Sequence, residues 1–413
     1  MREMKDSGIE WIGAIPQDWQ LSKIGSLYTQ RNEKVSDKDY QPLSVTMQGI
    51  LPQLATAAKT DDGDNRKLVR VGDFAINSRS DRRGSCGISP LDGSVSLINI
   101  ILTPRTAMHP GYYNWLFHTT LFADEFYKWG HGIVADLWTT RWQEMKSITV
   151  PVPEYAEQER IAAFLDAECA EIDTVLEKTR ASIEEYKKLK QAVITQAVTK
   201  GIRGDRPMKN SGIEWIGEIP AEWDVIRVKQ LLKERNERSK EGKEEPLSMS
   251  QKVGLVPTKF LESIPNMASS FVGAKLAYVD DLVFNKLKAH LGVFSVSRYD
   301  GLVSPDYAVY CSTGKSNLKY LEYIFKTPQC IGEFRKKSTG IAAGLMRLYT
   351  EGLFSIYLPY PALSEQEEIA EYLNEKCAGI DALIAKKQQY LTEIENYKKS
   401  LIYEYVTGKK EVV

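Results

Sequence analysis

Two long stretches of the chain carry apolar side chains at alternating steps of three and four, so that the pattern repeats every seven residues. This heptad spacing is typical of helices that pair as a coiled coil. It predicts one long spacer helix at 154–201 and a second at 362–410. The apolar positions that we assign to the helix–helix contact are Leu165, Ile172, Leu176 and Ile183 in the first helix, and Leu373, Ile380, Ile384 and Leu391 in the second.

Both predicted helices carry signals at their ends. Gly201 follows the first helix, where a helix stop is expected, and Ser364 and Glu367 have the spacing of a capping box at the start of the second. A helix of about 45 residues spans roughly 65–70 Å. We expect antiparallel pairing, with one globular domain at each end of a rod. The alternative is that each helix packs only on the core of its own domain.

Ahead of each long helix the pattern changes to short strands. Val, Ile, Phe and Tyr, bounded by Asp-Gly or Ser-Pro, are typical of half-buried strands. Such stretches occur at 68–77, 94–102, 275–285 and 302–310, and short helical patterns follow them at 112–129 and 318–337. We therefore predict one mixed α/β domain at 1–153 and another at 202–361.

The two halves of the chain are copies of each other. Residues 4–19 (MKDSGIEWIGAIPQDW) match 208–223 (MKNSGIEWIGEIPAEW) at twelve of sixteen positions. Further matches continue to the end of each predicted long helix, where Val198-Thr199 pairs with Val406-Thr407. The predicted fold class is therefore a tandem duplication of an α/β domain followed by a long helix, with the two helices forming an antiparallel coiled coil.

Composition narrows the possible functions only slightly. The 413 residues include 54 Lys and Arg against 55 Asp and Glu, which gives a net charge of −1. A protein that binds nucleic acid by itself usually has a basic surplus, so this chain either binds none or uses local patches together with a basic partner. An odd count of five cysteines without a C-x-x-C pair argues against a disulfide framework and favours a reducing cytoplasm. Cys169 and Cys377 fall on the helix seams, where we expect both to be buried.

Each copy places a basic loop between a matched Asn and a matched Gly. Arg can donate two hydrogen bonds to guanine, and Lys and Arg contact phosphates, so such a loop suits the major groove. The candidate DNA-contacting residues are Arg79, Arg82 and Arg83 in the first copy, and Lys286, Lys288 and His290 in the second. A solvated loop without function is the alternative. Weaker candidates for phosphate contact are Arg66, Lys67 and Arg70, together with Arg335, Lys336 and Lys337.

No catalytic constellation is found in the sequence. The chain contains no N-P-P-[FY] or D-P-P-[FY] tetrapeptide, no G-x-G-x-x-G after a strand and no H-E-x-x-H. Its four histidines never sit at metal-ligand spacing. We expect no catalytic residue, no metal site and no cofactor in this chain.

The repeated motifs resemble those of the specificity subunit of type I restriction–modification enzymes. The residues that carry the resemblance are the IPQDW and IPAEW motifs at 15–19 and 219–223. The motifs at the starts of the two predicted helices carry the resemblance as well: PVP…EQExIA at 151–162 and PYP…EQExIA at 359–370. The resemblance implies two target recognition domains, each reading one half of a bipartite site on double-stranded DNA, with the helices fixing the gap. It also implies a non-catalytic subunit that docks two methyltransferase subunits and motor–nuclease subunits. In this family those partners bind S-adenosylmethionine, ATP and Mg, and no membrane is involved.

The copies agree at the domain and helix starts but differ near 45–130 and 249–335. Two domains with the same scaffold but different loops would read two different half-sites, so we predict a split, asymmetric DNA site. Three alternatives remain open: a coiled-coil adaptor that binds no DNA, a self-contained methyltransferase or nuclease, and a system that methylates without a motor partner.

Overall fold

The computed structural model describes residues 2–53, 63–132, 138–251, 253–261, 270–340 and 346–412. They form two compact units. The first comprises Met1–Arg180 and Gln388–Val413, and the second comprises Ala181–Lys387. Each unit therefore contains one globular domain and a part of both long helices. The division of the chain into four successive segments stays a sequence-based prediction.

The first half of the chain is built from short antiparallel strands and helices. In order they are β1 Met4–Asp6, β2 Ala14–Pro16, β3 Gln20–Lys23, α1 Ile24–Leu27, β4 Tyr28–Arg31, β5 Lys34–Val35, β6 Leu43–Thr46, β7 Gly49–Pro52, β8 Arg66–Val69, β9 Phe74–Asn77, β10 Cys86–Ile88, β11 Gly93–Val95, β12 Asn99–Pro104, α2 Pro110–Phe117, α3 Thr120–Lys128, α4 Trp142–Met145, β13 Thr149–Val152 and the long helix α5 Tyr155–Lys200.

The second half repeats this order. Its elements are β14 Met208–Asn210, β15 Glu218–Pro220, β16 Asp224–Arg227, α6 Val228–Leu231, β17 Leu232–Arg235, β18 Leu247–Ser250, β19 Gly254–Pro257, β20 Lys275–Ala277, β21 Leu282–Asn285, β22 Phe294–Val296, β23 Gly301–Val303, β24 Tyr307–Ser312, α7 Leu318–Phe325, α8 Pro328–Lys337, α9 Thr350–Phe354, β25 Tyr357–Tyr360 and the long helix α10 Leu363–Val406. The duplicated mixed α/β fold that the sequence predicts is confirmed.

A four-stranded antiparallel sheet organises each domain, in the order β10-β9-β12-β4 and β22-β21-β24-β17. Side chains alternate between the two faces of a strand. In β9, Phe74 and Ile76 therefore join the large core under the helices, while Ala75 faces a smaller core with Leu43 and Ile50. The sheet thus separates a helical layer from a β-hairpin layer.

Each predicted strand stretch contains two strands rather than one. The break after β8 is a tight turn in which the Asp73 carboxylate accepts a hydrogen bond from the backbone amide of Arg70 at 2.8 Å. The same carboxylate forms an ion pair with Arg31 at 2.7 Å. Asp281 and Arg235 repeat the ion pair at 2.8 Å. The predicted helical stretch 112–129 is divided as well, because Thr119 caps a new helix by accepting from the backbone of Phe122.

The IPxxW motif and the first glutamate of EQE meet at the start of each long helix. In unit 1 the indole nitrogen of Trp19 donates to Glu157 at 2.9 Å, and the Arg2 guanidinium pairs with the same carboxylate. In unit 2, Trp223 donates to Glu365 at 2.9 Å, and Arg206 pairs with Glu365 at 2.7 Å. We call each set of three residues a Trp–Glu–Arg cluster. It fastens the opening strands of a domain to its helix.

The glutamine of the same motif fastens the helix to α2. Gln158 donates to the carbonyl oxygen of Pro153 at 2.8 Å and accepts from the backbone amide of His109 at 2.8 Å. Gln366 repeats both contacts, to Pro361 at 3.0 Å and from Asn317 at 2.9 Å. The first glutamate and the glutamine of the repeated EQE motif therefore have a structural role, because both hold the long helix against its domain.

The two long helices pack against each other antiparallel. In unit 1, the rings of Phe164 and Tyr405 pack at a tilt with centroids 4.4 Å apart. Farther along α5, Lys398 pairs with Asp173 at 2.6 Å. In unit 2, Lys190 pairs with Asp381 at 2.6 Å. The helix starts also enter the domain cores, because Leu165 and Leu373 belong to the two large clusters. The helices therefore pair with each other and pack on their own domains.

The predicted helix ends are partly confirmed. α5 stops at Lys200, and Gly201 adopts a φ of +75°, which favours glycine. The capping-box prediction is wrong, because α10 already begins at Leu363 and Ser364 lies within its first turn. Within the described ranges, no helix combines the length and the apolarity that crossing a membrane requires.

Removing one member of a Trp–Glu–Arg cluster should destabilise its unit. Glu365 is buried, so Glu365→Ala removes the acceptor of the Trp223 indole and one of the two carboxylates that pair with Arg206, which keeps Glu222. Leaving a buried donor without its acceptor costs about 1–3 kcal/mol. The matched control is Glu368→Ala on the same helix, since Glu368 pairs with Arg203 at the surface, where a pair contributes about 0–1 kcal/mol. Urea unfolding followed by fluorescence measures both, and equal losses would refute the role of the cluster.

Thiol reactivity tests the predicted cores. Cys86, Cys169, Cys330 and Cys377 are buried, and Cys311 is partly exposed. Burial raises the pKa of Cys86 to about 12, and the thiolate is the reactive form. We expect an aromatic disulfide reagent to modify one thiol rapidly in the native protein and all five in denaturant. Cys311→Ser should abolish the rapid phase, and a second fast thiol would contradict the packing.

Candidate nucleic-acid interface

The basic loop of unit 1 is a turn that joins β9 to β10 at one end of the four-stranded sheet. We call residues 77–84 its basic turn. Asn77 holds the turn, because its side-chain oxygen accepts from the backbone of Arg79 at 3.0 Å and its backbone amide donates to Ser85 at 2.9 Å. A single 3₁₀ turn at Ser80–Arg82 follows. Asn and Ser favour such turns because their side chains bond to nearby backbone.

The three arginines of this turn have different surroundings. Arg79 is exposed and makes no ion pair with any described residue. Arg82 lies 3.6 Å from Asp81. Arg83 pairs with Asp124 of α3, and its guanidinium lies 5.9 Å from the ring centroid of Tyr127. Arg79 is therefore the most available cation of the turn, while Arg83 is tied to the domain.

Unit 2 has an equivalent basic turn at residues 285–292. Asn285 again accepts from the backbone two residues later, from Leu287 at 3.1 Å. Lys286 donates to the carbonyl oxygen of Pro305 at 3.2 Å, and Lys288 is exposed. His290 is half-buried in a 3₁₀ turn, and its Nδ1 atom has no hydrogen-bond partner among the described residues.

Each basic turn contacts a second segment of its own unit, at Thr140 in unit 1 and at Leu348 in unit 2, which the sequence pattern did not predict. In unit 1 the Thr140 amide donates to Ser78 at 3.0 Å, and in unit 2 the Leu348 amide donates to Lys286 at 3.0 Å. In unit 2, the same segment carries Arg347, whose guanidinium lies 3.4 Å from the carboxylate of Asp306. The common spacing of 208 residues is the sequence signal that could have revealed this pairing.

Helix α8 adds further cations to the turn of unit 2. It packs against the 3₁₀ turn that contains His290, and its exposed last turn carries Arg335, Lys336 and Lys337. Lys336 pairs with Glu333 at 2.7 Å. These weaker sequence candidates thus lie on the element next to the basic turn.

The other weak candidates are structural. Arg66 is only 4% exposed and donates to the hydroxyl and the carbonyl oxygen of Ser94, at 2.8 and 2.9 Å. Lys67 donates to Asn99 at 2.7 Å, and burial lowers the pKa of both Arg66 and Lys67. Arg70 pairs with Asp92 at 3.0 Å. The interpretation of Arg66 as a candidate for phosphate contact is wrong, because its buried side chain fastens β8 to the neighbouring strand.

The predicted helix-seam residues lie on buried or half-buried faces. Those that are buried are Leu165, Leu176, Ile183, Leu373 and Ile384, and those that are half-buried are Ile172, Ile380 and Leu391. The burial expected for Cys169 and Cys377 is confirmed. Among the residues that the structure describes, no group of three or more His, Cys, Asp and Glu side chains is arranged to hold a metal ion.

Comparison with known proteins reveals relatives over nearly the whole chain. The chain is 23% identical to the type I restriction enzyme MjaVIII specificity subunit of Methanocaldococcus jannaschii, covering 96% of this chain and 94% of that protein. It is 27% identical to the putative MjaX specificity subunit of the same organism, over 65% of this chain and 61% of that one. The chain is a homologue of type I restriction enzyme specificity subunits. No family model matches it.

Solved structures of specificity subunits share the fold. One chain, from a study of complex assembly and conformational transition in a type I restriction–modification system, superposes with a TM-score of 0.73 at 13% identity and covers 96% of this chain and 99% of its own length. The HsdS subunit from Thermoanaerobacter tengcongensis gives a TM-score of 0.54 at 16% identity, with coverage of 96% and 98%. The likeness extends over both domains and both long helices.

Proposed function

We propose that this chain is the sequence-specific DNA-recognition subunit of a type I restriction–modification enzyme and reads a bipartite, asymmetric site. The observation that carries the proposal is the basic turn at the same end of the sheet in both domains. The full-length likeness to specificity subunits supports it. Each domain reads one half-site, and the paired helices set the gap between them.

The charge distribution fits recognition by local patches. A net charge of −1 supplies no general attraction to DNA, whereas exposed cations at the turns neutralise individual phosphates or reach base edges. Arg79 presents a guanidinium fork suited to guanine, and Lys288 presents a point charge. Different cations on equal scaffolds support two different half-sites.

We assign the methylation and cleavage reactions to partner subunits. The chain is non-catalytic and docks two methyltransferase subunits, which bind S-adenosylmethionine and methylate adenine. Motor–nuclease subunits, which bind ATP and Mg, complete the enzyme in the cytoplasm. The repeated domain starts and helix starts support this division, because their matching motifs in the two copies suit two identical partners.

Mapping of methylated adenines in the native cell tests the function. We expect deletion of the gene to remove one split, asymmetric methylation motif, and reintroduction of the gene to restore it. The motif itself would reveal both half-sites. An unchanged methylome in cells that express the gene would contradict the proposal and favour an adaptor that binds no DNA.

Arg79→Ala should weaken DNA binding without preventing assembly. One good contact to a base edge contributes about 1–3 kcal/mol, so we expect the affinity of the assembled methyltransferase for its site to fall by about 5- to 150-fold. Fluorescence anisotropy over a salt series measures the loss, and a phosphate contact would instead lower the salt slope by about one unit.

The matched control is Arg105→Ala. Arg105 is also exposed and follows β12, but it lies at the opposite end of the sheet, where it donates to Tyr28. It should bind DNA as the wild type does. Leu176→Asp combined with Ile384→Asp should instead lose assembly and DNA binding together. Equal affinity of the Arg79 and Arg105 variants would show that the turn does not contact DNA.

A further inference from the structure

Beside each basic turn stands a β-hairpin with an exposed, partly apolar tip. In unit 1 strands β6 and β7 pair from Leu43 with Pro52 to Thr46 with Gly49, which leaves Met47 and Gln48 as the tip. Met47 is 71% exposed, the highest value among the large apolar side chains of the described residues. Packing within the domain does not use this side chain, so it is free to contact a ligand.

Each hairpin is held rigidly against the strand that leaves its basic turn. In unit 1, β7 passes so close to β10 that a β-carbon on Gly87 would lie 2.9 Å from the Cα atom of Gly49. The equivalent contact in unit 2 joins Gly254 to Ser295 of β22. Ile50 and Leu43 anchor the first hairpin in the smaller core. The tips are therefore fixed relative to the sheet.

In unit 2 the tip directly contacts the basic turn. The side-chain amide of Gln251 donates to the carbonyl oxygen of Leu291 at 3.0 Å, and Leu291 ends the 3₁₀ turn of the basic turn. Val253, on the same tip, is 63% exposed. A cationic turn and a hairpin tip that exposes Gln251 and Val253 thus lie side by side at one edge of the domain.

The two copies differ at the tip while their hairpin strands match. Pro42-Leu43-Ser44 corresponds to Pro246-Leu247-Ser248 before the tip, and the strands resume at Gly49 and Gly254. Two residues separate Thr46 from Gly49, whereas three separate Ser250 from Gly254. A change of length at the tip, with conservative changes in the strands, alters what the domain touches and keeps the fold.

We propose that the hairpin tips are base-reading elements: Gln48 and Met47 of unit 1 read one half-site, and Gln251 and Val253 of unit 2 read the other. This proposal rests on the proposed function and deepens it. The major groove admits a two-stranded β-ribbon, Gln pairs with the N6 and N7 edge of adenine, and apolar side chains contact the methyl group of thymine. The tips thus add base contacts next to those that the cations of the basic turns make with phosphates or base edges.

Substitutions at the first tip test the proposal. The variants Gln48→Ala, Met47→Ala and Gln48→Glu are expressed in cells that lack the native gene, and methylated adenines are mapped. Gln48→Ala should relax the preference at one base pair of one half-site by about 5- to 150-fold and leave the other half-site unchanged. Gln48→Glu should shift the preference at that base pair toward cytosine, because a carboxylate accepts from its amino group.

The matched control is Gln41→Ala. Gln41 is also exposed but lies before β6, at the opposite end of the hairpin, and contacts Ser94 through its backbone. It should leave the whole motif unchanged. Purification of each variant with its methyltransferase partner verifies folding independently of sequence choice.

The outcomes separate this proposal from the function on which it rests. If the wild type methylates a split motif and all three tip variants keep it unaltered, the hairpins do not read bases and the proposed function stands. A uniform loss of methylation without any change of motif would assign the tip a structural role and overturn the proposal. If the wild-type gene supports no methylated motif, both fail.

Discussion

The Trp–Glu–Arg cluster at each helix start, with a buried indole and a buried or half-buried carboxylate, is the interaction on which the rest of the structure depends. Glu157 and Glu365 each accept from an indole and from a guanidinium, so one carboxylate joins the opening strands to the long helix. A buried charge is tolerated only when it is paired and hydrogen-bonded. The cluster therefore specifies one orientation of strand and helix, and the adjacent glutamine extends that orientation to α2 or α7.

Each unit is completed by the end of the other copy's long helix. The hydroxyl of Tyr112 donates to the carbonyl oxygen of Val406 at 2.8 Å in unit 1, and that of Tyr320 donates to Val198 at 3.3 Å in unit 2. Carbonyl groups at a helix C-terminus lack intrahelical partners, so these buried tyrosines satisfy them. Helix pairing and domain folding are consequently coupled within each unit.

The basic turns and hairpin tips are placed on this rigid support rather than on free loops. Asn77 and Asn285 shape the turns through backbone contacts, and close packing at Gly49 and Gly254 holds the hairpins. A recognition surface built in this way loses little conformational freedom on binding. It can also change its side chains without changing the fold, which is what a duplicated scaffold with two readers requires.

The sequence by itself determined the duplication, the two long helices and the α/β class, because repeats and heptads are local patterns that survive in one dimension. It located the basic turns but not the partners of their cations. Arg66 and Arg79 look alike in sequence, yet only tertiary packing buries the first and exposes the second. The role of Glu157 and the nearness of hairpin and turn were likewise decided by the folded structure, because contacts between residues 138 and 40 positions apart follow from how the sheet and the helices pack.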